Sequence, residues 1–139
     1  MIRVLIADDH ALMRVRLDTL LKREADIQVV GEASNGQEAI QLTEKLDPDI
    51  VLMDIQMPNI DGLEATKYLV SHEHNIKVLV VATLWALPIV QAAVKLGARG
   101  YLAKTEAFEE LIPAIHAVCD GKTYFSRTVS RVLAHEDGQ

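Results

Sequence analysis

Residues 49–54 read Asp49-Ile50-Val51-Leu52-Met53-Asp54, a short apolar run bounded by acids. A run of this length and composition is typical of a strand that is buried on both faces of a parallel sheet. Residues 2–7 form an equally apolar run, and two acids, Asp8 and Asp9, follow it. Because the carboxyl ends of parallel strands meet at one edge of the sheet, we expect Asp8, Asp9 and Asp54 to lie close together.

A lysine is predicted at the same edge, because Lys104 follows a third apolar run near residues 99–103. Like charges a few ångströms apart oppose joint ionisation, and a hard divalent cation such as Mg²⁺ offsets that repulsion. A single Asp more often caps a turn or a helix, but this set at three strand ends favours a shared phosphate site. In such a site Asp54 fits the nucleophile for phosphoryl transfer, and Lys104 fits pairing with a phosphate oxygen. Asp8 and Asp9 fit metal ligation.

Strand patterns alternate with helix patterns along most of the chain. This alternation predicts an α/β fold in which a five-stranded parallel sheet, in (βα)5 order, is covered by helices on both faces. The predicted strands lie at residues 2–7, 27–31, 50–53, 78–82 and 99–103.

The last part of the chain contains a proline that conflicts with its helical pattern. Pro113 is expected to make the fifth helix start late, near Glu109 or Glu110, or bend. Beyond residue 121, apolar residues at helical spacing predict a short extra helix that Ser126 caps, with a frayed end at residues 135–139.

The composition fits one globular domain of 139 residues. Its 14 basic and 20 acidic residues give a net charge of −6, which argues against a nucleic-acid surface within this chain. Since no apolar run approaches the ~18 residues of a membrane span and no signal-peptide pattern is seen, a cytoplasmic protein without membrane contact is expected. A single cysteine, Cys119, suits a reducing compartment.

At its strand ends the chain resembles the receiver domain of bacterial two-component response regulators. The matching motifs are Ile6-Ala7-Asp8-Asp9-His10, Met53-Asp54-Ile55-Gln56-Met57-Pro58-Asn59-Ile60-Asp61-Gly62 and Gly97-Ala98-Arg99-Gly100-Tyr101-Leu102-Ala103-Lys104. Residues 9–12, 30–33, 62–66 and 100–102 further resemble the NarL/FixJ (LuxR-type) branch, especially its GacA-like members. The resemblance implies a flavodoxin-like (CheY-like), doubly wound receiver domain at residues 1–121. Residues 122–139 are then a linker or a short extra helix.

The resemblance also implies a role for each acid of the site. Asp54 would accept a phosphoryl group from a sensor histidine kinase. Asp9, Asp54 and the main-chain carbonyl of Gln56 would hold Mg²⁺, and Asp8 would act through water. Lys104 would bind the phosphate. His10 is expected to pack in its loop rather than ligate metal, because Mg²⁺ prefers oxygen.

The residues that would relay the signal depart from the family in one place. Most receivers carry a Ser or Thr at the end of the fourth strand, but Ala82 falls there and Thr83 follows it. Side chains alternate between the two faces of a strand, so Thr83 should lie on the face opposite to Ala82 unless the strand end bulges. Phosphorylation would then persist, but its coupling to a conformational change would be weaker. Tyr101 would be the aromatic residue that changes rotamer. The apolar loop at residues 84–88, centred on Trp85, is either packed or a contact surface.

Output and partners are expected to involve a further domain. In the resembling branch, a helix-turn-helix domain follows the receiver and binds DNA, and no such segment fits after residue 121. The chain is therefore expected to be a fragment of a longer protein or a standalone receiver. DNA would then be bound only through the missing C-terminal domain, and a homodimer is possible.

Three other functions remain open beside the signalling domain, which at most dephosphorylates itself slowly. A phosphorylation-independent interaction module is suggested by Ala82 and the apolar loop, and it would act even when Asp54 cannot be modified. A Mg²⁺-dependent aspartate phosphohydrolase needs a second acid where Gln56 stands. A dinucleotide-binding domain needs a glycine-rich loop where residues 8–10 stand.

Overall fold

The computed structural model describes residues 1–73 and 75–137, with side chains described as far as His135. The fraying predicted for residues 135–139 falls partly on Gly138 and Gln139, which lie outside the described residues. The strands are β1 (Ile2–Ala7), β2 (Ile27–Ala33), β3 (Ile50–Met53), β4 (Lys77–Ala82), β5 (Gly100–Ala103) and β6 (Tyr124–Phe125). The helices are α1 (Ala11–Leu21), α2 (Gly36–Leu46), α3 (Gly62–His72), α4 (Leu87–Lys95), α5 (Ala107–Cys119) and α6 (Arg127–Asp137), and a 3₁₀ turn, Lys104–Glu106, joins β5 to α5.

The strands form one parallel sheet in the order β2-β1-β3-β4-β5-β6. The predicted α/β parallel sheet is confirmed, but the predicted strand number of five is wrong. The sixth strand, Tyr124–Phe125, pairs with Gly100 and Tyr101 at the edge of the sheet. Two residues are too few to show an alternating pattern, so this pairing is not visible in the sequence.

Helices cover both faces of the sheet, as the buried residues show. On one face, Leu17 and Leu21 of α1 pack with Leu111 and Ile115 of α5. The other face is covered by α2, α3, α4 and α6, whose buried members are Ala39, Ala65, Leu69, Val90, Ala93 and Val129. α6 follows the edge strand β6 and lies beside α4, while its first residue, Arg127, contacts Glu109 and Glu110 of α5.

The helices correct one expectation at the end of the chain and confirm another. α5 begins at Ala107 and runs through Pro113, so the predicted late start is wrong. Pro113 is solvent-exposed, and water can therefore satisfy the carbonyl that lacks an amide donor. The predicted extra helix is present as α6. Among the described helices, none has the length and apolarity that crossing a bilayer requires.

An ion pair between α5 and the loop before β2 predicts a pH dependence of stability. His116 Nε2 lies 2.7 Å from Asp26 Oδ2, and this hydrogen bond raises the pKa of His116 and lowers that of Asp26. The His116 contribution is complete below its usual pKa of 6.5 and is lost as pH rises through the raised value. The Asp26 contribution is complete above 3.8 and is lost as pH falls through the lowered value.

We therefore expect His116→Gln to lower the melting temperature more at pH 5.5 than at pH 8.5. Both side chains are largely exposed, so the difference should be small, and 1 M salt should reduce it further. His135→Gln, at an exposed position of α6, is the control. An equal loss at both pH values would show that the pair contributes no charge-dependent stability.

Candidate functional site

Three strand ends place charged residues at one point of the sheet edge. β1 lies between β2 and β3, so the strand order reverses there, which is where open α/β sheets form their sites. Ala7 pairs with Met53, and the Asp54 amide donates to the Ala7 carbonyl at 2.9 Å. Asp8 and Asp54 therefore follow two neighbouring strands at the same level.

Lys104 joins these two aspartates across the sheet edge. Its Nζ lies 2.9 Å from Asp8 Oδ2 and 3.0 Å from Asp54 Oδ2. The side chains of Asp8 and Asp54 are 3% and 4% exposed, and that of Lys104 is 11% exposed. The lysine ammonium is therefore held between two buried carboxylates.

Burial and ion pairing shift the pKa values of Asp54 and Lys104 in opposite directions. Burial raises the pKa of Asp54, and the neighbouring Asp8 charge adds to this, while the Lys104 hydrogen bond counteracts it in part. Burial disfavours the Lys104 charge, but hydrogen bonds to Asp8 and Asp54 outweigh it and raise the pKa of Lys104. The lysine is therefore firmly charged, whereas the Asp54 carboxylate is poorly solvated.

The acids also form a group that could hold a cation. One ligand atom from each of Asp8, Asp9, His10 and Asp54 lies within 4.8 Å of all the others. Asp9 is more exposed than Asp8 or Asp54, so the group opens to solvent on its side. Gln56 lies in the exposed part of the loop after β3, and its main-chain ligand role stays a prediction.

His10 does not pack in its loop as the sequence led us to expect. Its side chain is 68% exposed, and Nδ1 lies 3.2 Å from Asp8 Oδ1 and 3.1 Å from Asp9 Oδ1. The His10 main-chain amide also donates to Asp8 Oδ1 at 2.9 Å. The imidazole lies on the solvent side of the two carboxylates, within hydrogen-bond distance of both.

Two glycines, at the starts of α2 and α3, allow close backbone contacts beside the site. A Cβ on Gly62 would lie 1.9 Å from the Asp54 carbonyl oxygen, and one on Gly36 would lie 1.9 Å from the Ile60 carbonyl oxygen. The Gly62 amide donates to the Ile55 carbonyl at 2.8 Å, and the Asp61 side chain caps α3 through the Glu64 amide. The start of α3 is thereby pressed against the backbone of the central acid.

Arg14 is a further residue that the sequence did not single out. Its Nη1 donates to the Asp8 carbonyl at 2.6 Å, and its Nε lies 3.4 Å from Glu32 Oε1. These contacts link α1 to the ends of β1 and β2. Arg14 itself belongs to none of the quoted motifs, and its contact with Glu32 joins residues 18 positions apart, so no pattern in the sequence indicates it.

The predicted switch residues are divided between two environments. Ala82 pairs with Ala103, is 1% exposed and belongs to the same core cluster as Tyr101. Thr83 is exposed and lines a groove that reaches His10 and Lys104. The Ala82–Ala103 pairing is regular, so no bulge brings Thr83 onto the face of Ala82.

Tyr101 points into the protein. It is fully buried, and its hydroxyl donates a hydrogen bond to the Leu84 carbonyl in the loop after β4. Burial raises the pKa of Tyr101, followed by the charge of Asp54. The neighbouring Leu84 and Trp85 are 38% and 39% exposed, so the side chains of this apolar loop are not fully packed.

Comparison with known families agrees with this geometry. Residues 4–116 match the family model of the response regulator receiver domain. Response regulator GacA of Pseudomonas aeruginosa is 40% identical over 134 residues, which cover 96% of this chain and 63% of GacA. The chain thus spans less than two thirds of this relative.

Solved structures give the same result. A LuxR-family response regulator from Aurantimonas superposes with a TM-score of 0.94 at 30% identity, covering 99% of this chain and 98% of that chain. The isolated receiver domain of RcsB from Salmonella enterica, solved with the phosphomimetic BeF3⁻, gives 0.88 at 28% identity, covering 94% and 97%. Because the family match extends over most of the chain and includes every strand end of the site, the chain belongs to the response regulator receiver domain family of two-component signalling.

Proposed function

We propose that Asp54 is the phosphoacceptor of this receiver and that a sensor histidine kinase supplies the phosphoryl group. The observation that carries this proposal is the contact of Lys104 Nζ with Asp54 and Asp8 at a buried strand end. A carboxylate oxygen of Asp54 attacks phosphorus, the phosphorus–nitrogen bond of the donor histidine breaks, and the electron pair leaves on the imidazole. Lys104 neutralises part of the charge that develops on the phosphoryl oxygens.

The donor set fits Mg²⁺ as the cation of this reaction. Three carboxylates face one ammonium, so the site has an excess of negative charge, and carboxylate oxygens are the ligands that Mg²⁺ prefers. Asp9, Asp54 and the Gln56 carbonyl would hold the ion directly, and Asp8 would act through water. When bound, the ion supplies charge neutralisation for the phosphoryl oxygens.

Incubation with a small phosphodonor such as acetyl phosphate tests the proposal. The intact mass should rise by one phosphoryl group, the rise should need Mg²⁺, and EDTA should prevent it. The label should then decay slowly, as expected of a signalling phosphoacceptor. Rapid multiple turnover of a phosphate monoester would instead favour the phosphohydrolase, and no labelling with any donor would contradict the proposal.

We also propose that residues 1–121 are the regulated unit and that a further domain provides the output. The similar GacA is longer than this chain, which spans 63% of it. The net charge of −6 does not favour DNA contact within this chain. We therefore propose that a C-terminal helix-turn-helix domain binds DNA. The cytoplasmic location stays a prediction.

Restoring a hydroxyl at Ala82 should strengthen the switch. Ala82→Ser places an oxygen at a position that is 1% exposed, so we expect a stability cost of about 1 kcal/mol without the phosphoryl group. With beryllofluoride bound, the hydroxyl gains a partner, and any shape change or dimerisation, measured by X-ray scattering, should increase. If Thr83→Ala removes the response while Ala82→Ser adds nothing, the Thr83 hydroxyl is the group that binds the phosphoryl group.

A phosphorylation-independent interaction module is the second candidate, because Ala82 lacks a hydroxyl and Trp85 is partly exposed. Trp85 is the only tryptophan, so its fluorescence reports on this loop directly. We expect acrylamide to quench it in the monomer and a bound partner or second copy to protect it. Equal quenching in both states would contradict the contact role, and binding retained in Asp54→Asn would favour the second candidate.

A further inference from the structure

A buried carboxylate, that of Glu106, accepts hydrogen bonds from the first turn of the C-terminal helix α6. Glu106, the last residue of the 3₁₀ turn, is 5% exposed. Its oxygens accept hydrogen bonds from the Thr128 amide at 3.0 and 3.2 Å and from Thr128 Oγ1 at 2.6 Å. Glu110 accepts from the Arg127 amide at 3.1 Å. The first amides of a helix have no partner within it, so these glutamates cap α6.

The Glu106 carboxylate is charged in this position. Burial alone would raise its pKa, but the hydrogen bonds from Thr128 and Ser126 outweigh burial, and the pKa of Glu106 is lowered. A charged acceptor forms stronger hydrogen bonds than a neutral one. The cap is therefore a main attachment of the first turn of α6.

The strand that precedes Lys104, β5, also holds the start of α6 through its backbone. The Ser126 amide donates to the Tyr101 carbonyl at 3.0 Å, and Ser126 Oγ accepts from the Ala103 amide at 3.0 Å. Ser126 therefore binds β5 with its side chain, where the sequence suggested a capping role. Val129 of α6 is fully buried in the same cluster as Tyr101.

The 3₁₀ turn joins the phosphoacceptor site to this cap. Lys104, at one end of the turn, contacts Asp54, and Glu106, two residues later, contacts α6. Lys104 Nζ is 3.0 Å from Asp54 Oδ2, so a phosphoryl group added to that oxygen cannot fit between them. The ammonium therefore moves to a phosphoryl oxygen, and the part of this movement that rotation of the Lys104 side chain does not absorb reaches Glu106 through the three-residue turn.

We infer that Glu106 is a latch through which a phosphoryl group on Asp54 loosens the first turn of α6. The inference rests on the proposed function, because it requires Asp54 to be the acceptor. By linkage, release of α6 must favour the phosphorylated state to the same degree. Through Glu106, a phosphoryl group at the sheet edge thus weakens the attachment of the first turn of α6.

Residue-resolved amide hydrogen exchange on the 139-residue chain, with and without beryllofluoride and Mg²⁺, tests the latch. Beryllofluoride should make the amides of residues 128–133 exchange about tenfold faster or more, while those of α3 change little. In Glu106→Gln these amides should exchange fast already, and beryllofluoride should add little. Glu109→Gln is the matched control, because Glu109 is 70% exposed and its ion-pair partner is Arg127, at 3.7 Å. It should behave as the unmodified chain.

Fluorine NMR of bound beryllofluoride separates the two ways in which the experiment can fail. Bound beryllofluoride with unchanged or slower α6 exchange overturns the latch and leaves the proposed function standing. No bound beryllofluoride at saturating Mg²⁺ counts against both. A wild-type response in Glu106→Gln also overturns it. If that variant does not fold, Thr128→Val, which removes only the hydroxyl donor, should weaken the response in its place.

Discussion

Replacing Asp54 with Asn is expected to abolish phosphorylation of this protein. Asn has nearly the shape of Asp, but its amide oxygen is a poor nucleophile, so the mass increase with acetyl phosphate and Mg²⁺ should disappear. The fold should remain intact. Burial raises the pKa of Asp54, so the charged carboxylate reduces stability as pH rises, and Asp54→Asn should melt no lower than the unmodified protein at pH 8.

The control for this variant is Asp120→Asn. Asp120 lies exposed at the end of α5, which begins beside the site and separates the two by its whole length, so phosphorylation should proceed unchanged. Labelling that survives in Asp54→Asn would place the acceptor on another residue. Peptide mapping of the labelled protein would then identify it.

Gly62→Ala is expected to have the largest effect on stability. The added Cβ would lie 1.9 Å from the Asp54 carbonyl oxygen and 2.8 Å from the Asp54 carbonyl carbon. Both atoms belong to the backbone at the end of a central strand, so a side-chain rotation cannot relieve the contact. We expect a loss of about 3 kcal/mol in the free energy of unfolding, measured by urea denaturation, and a displaced Asp54 that accepts phosphate poorly.

Gly121→Ala is the matched control for a glycine in this chain. Gly121 has a φ of +86°, and nothing lies within 4 Å of its added Cβ. Only the left-handed backbone conformation opposes the substitution, at a cost of about 1 kcal/mol, and phosphorylation should be unaffected. Equal losses in the two variants would show that the close contact of Gly62 with β3 does not limit stability.

The strands and the central charged residues could be predicted because their signals are local. An apolar run shows a buried strand by itself, and the residue after it must lie at the sheet edge, which places Asp8, Asp54 and Lys104. Glu106 gave no such signal. It lies two residues after Lys104, but its partner Thr128 is 22 positions away, and neither residue belongs to a motif.

Close contacts between backbone segments could not be predicted from the sequence either. Nothing in the sequence distinguishes Gly62 and Gly36 from other glycines, and only the folded chain shows that a side chain at either position would meet a carbonyl oxygen of a neighbouring segment. The outward position of His10 depends likewise on where two carboxylates stand. These features depend on distances between segments.

The sequence by itself determined the alternation of strands and helices and the set of charged residues at the strand ends, since periodicity and strand termini are properties of contiguous residues. The tertiary structure alone decided the sixth strand, the docking of α6 and the fixed position of Lys104 between Asp8 and Asp54. The physical reason is that a two-residue strand and a helix cap are stabilised by partners distant in sequence. These hydrogen bonds stabilise the strand and the cap only after the sheet has brought the partners within hydrogen-bond distance.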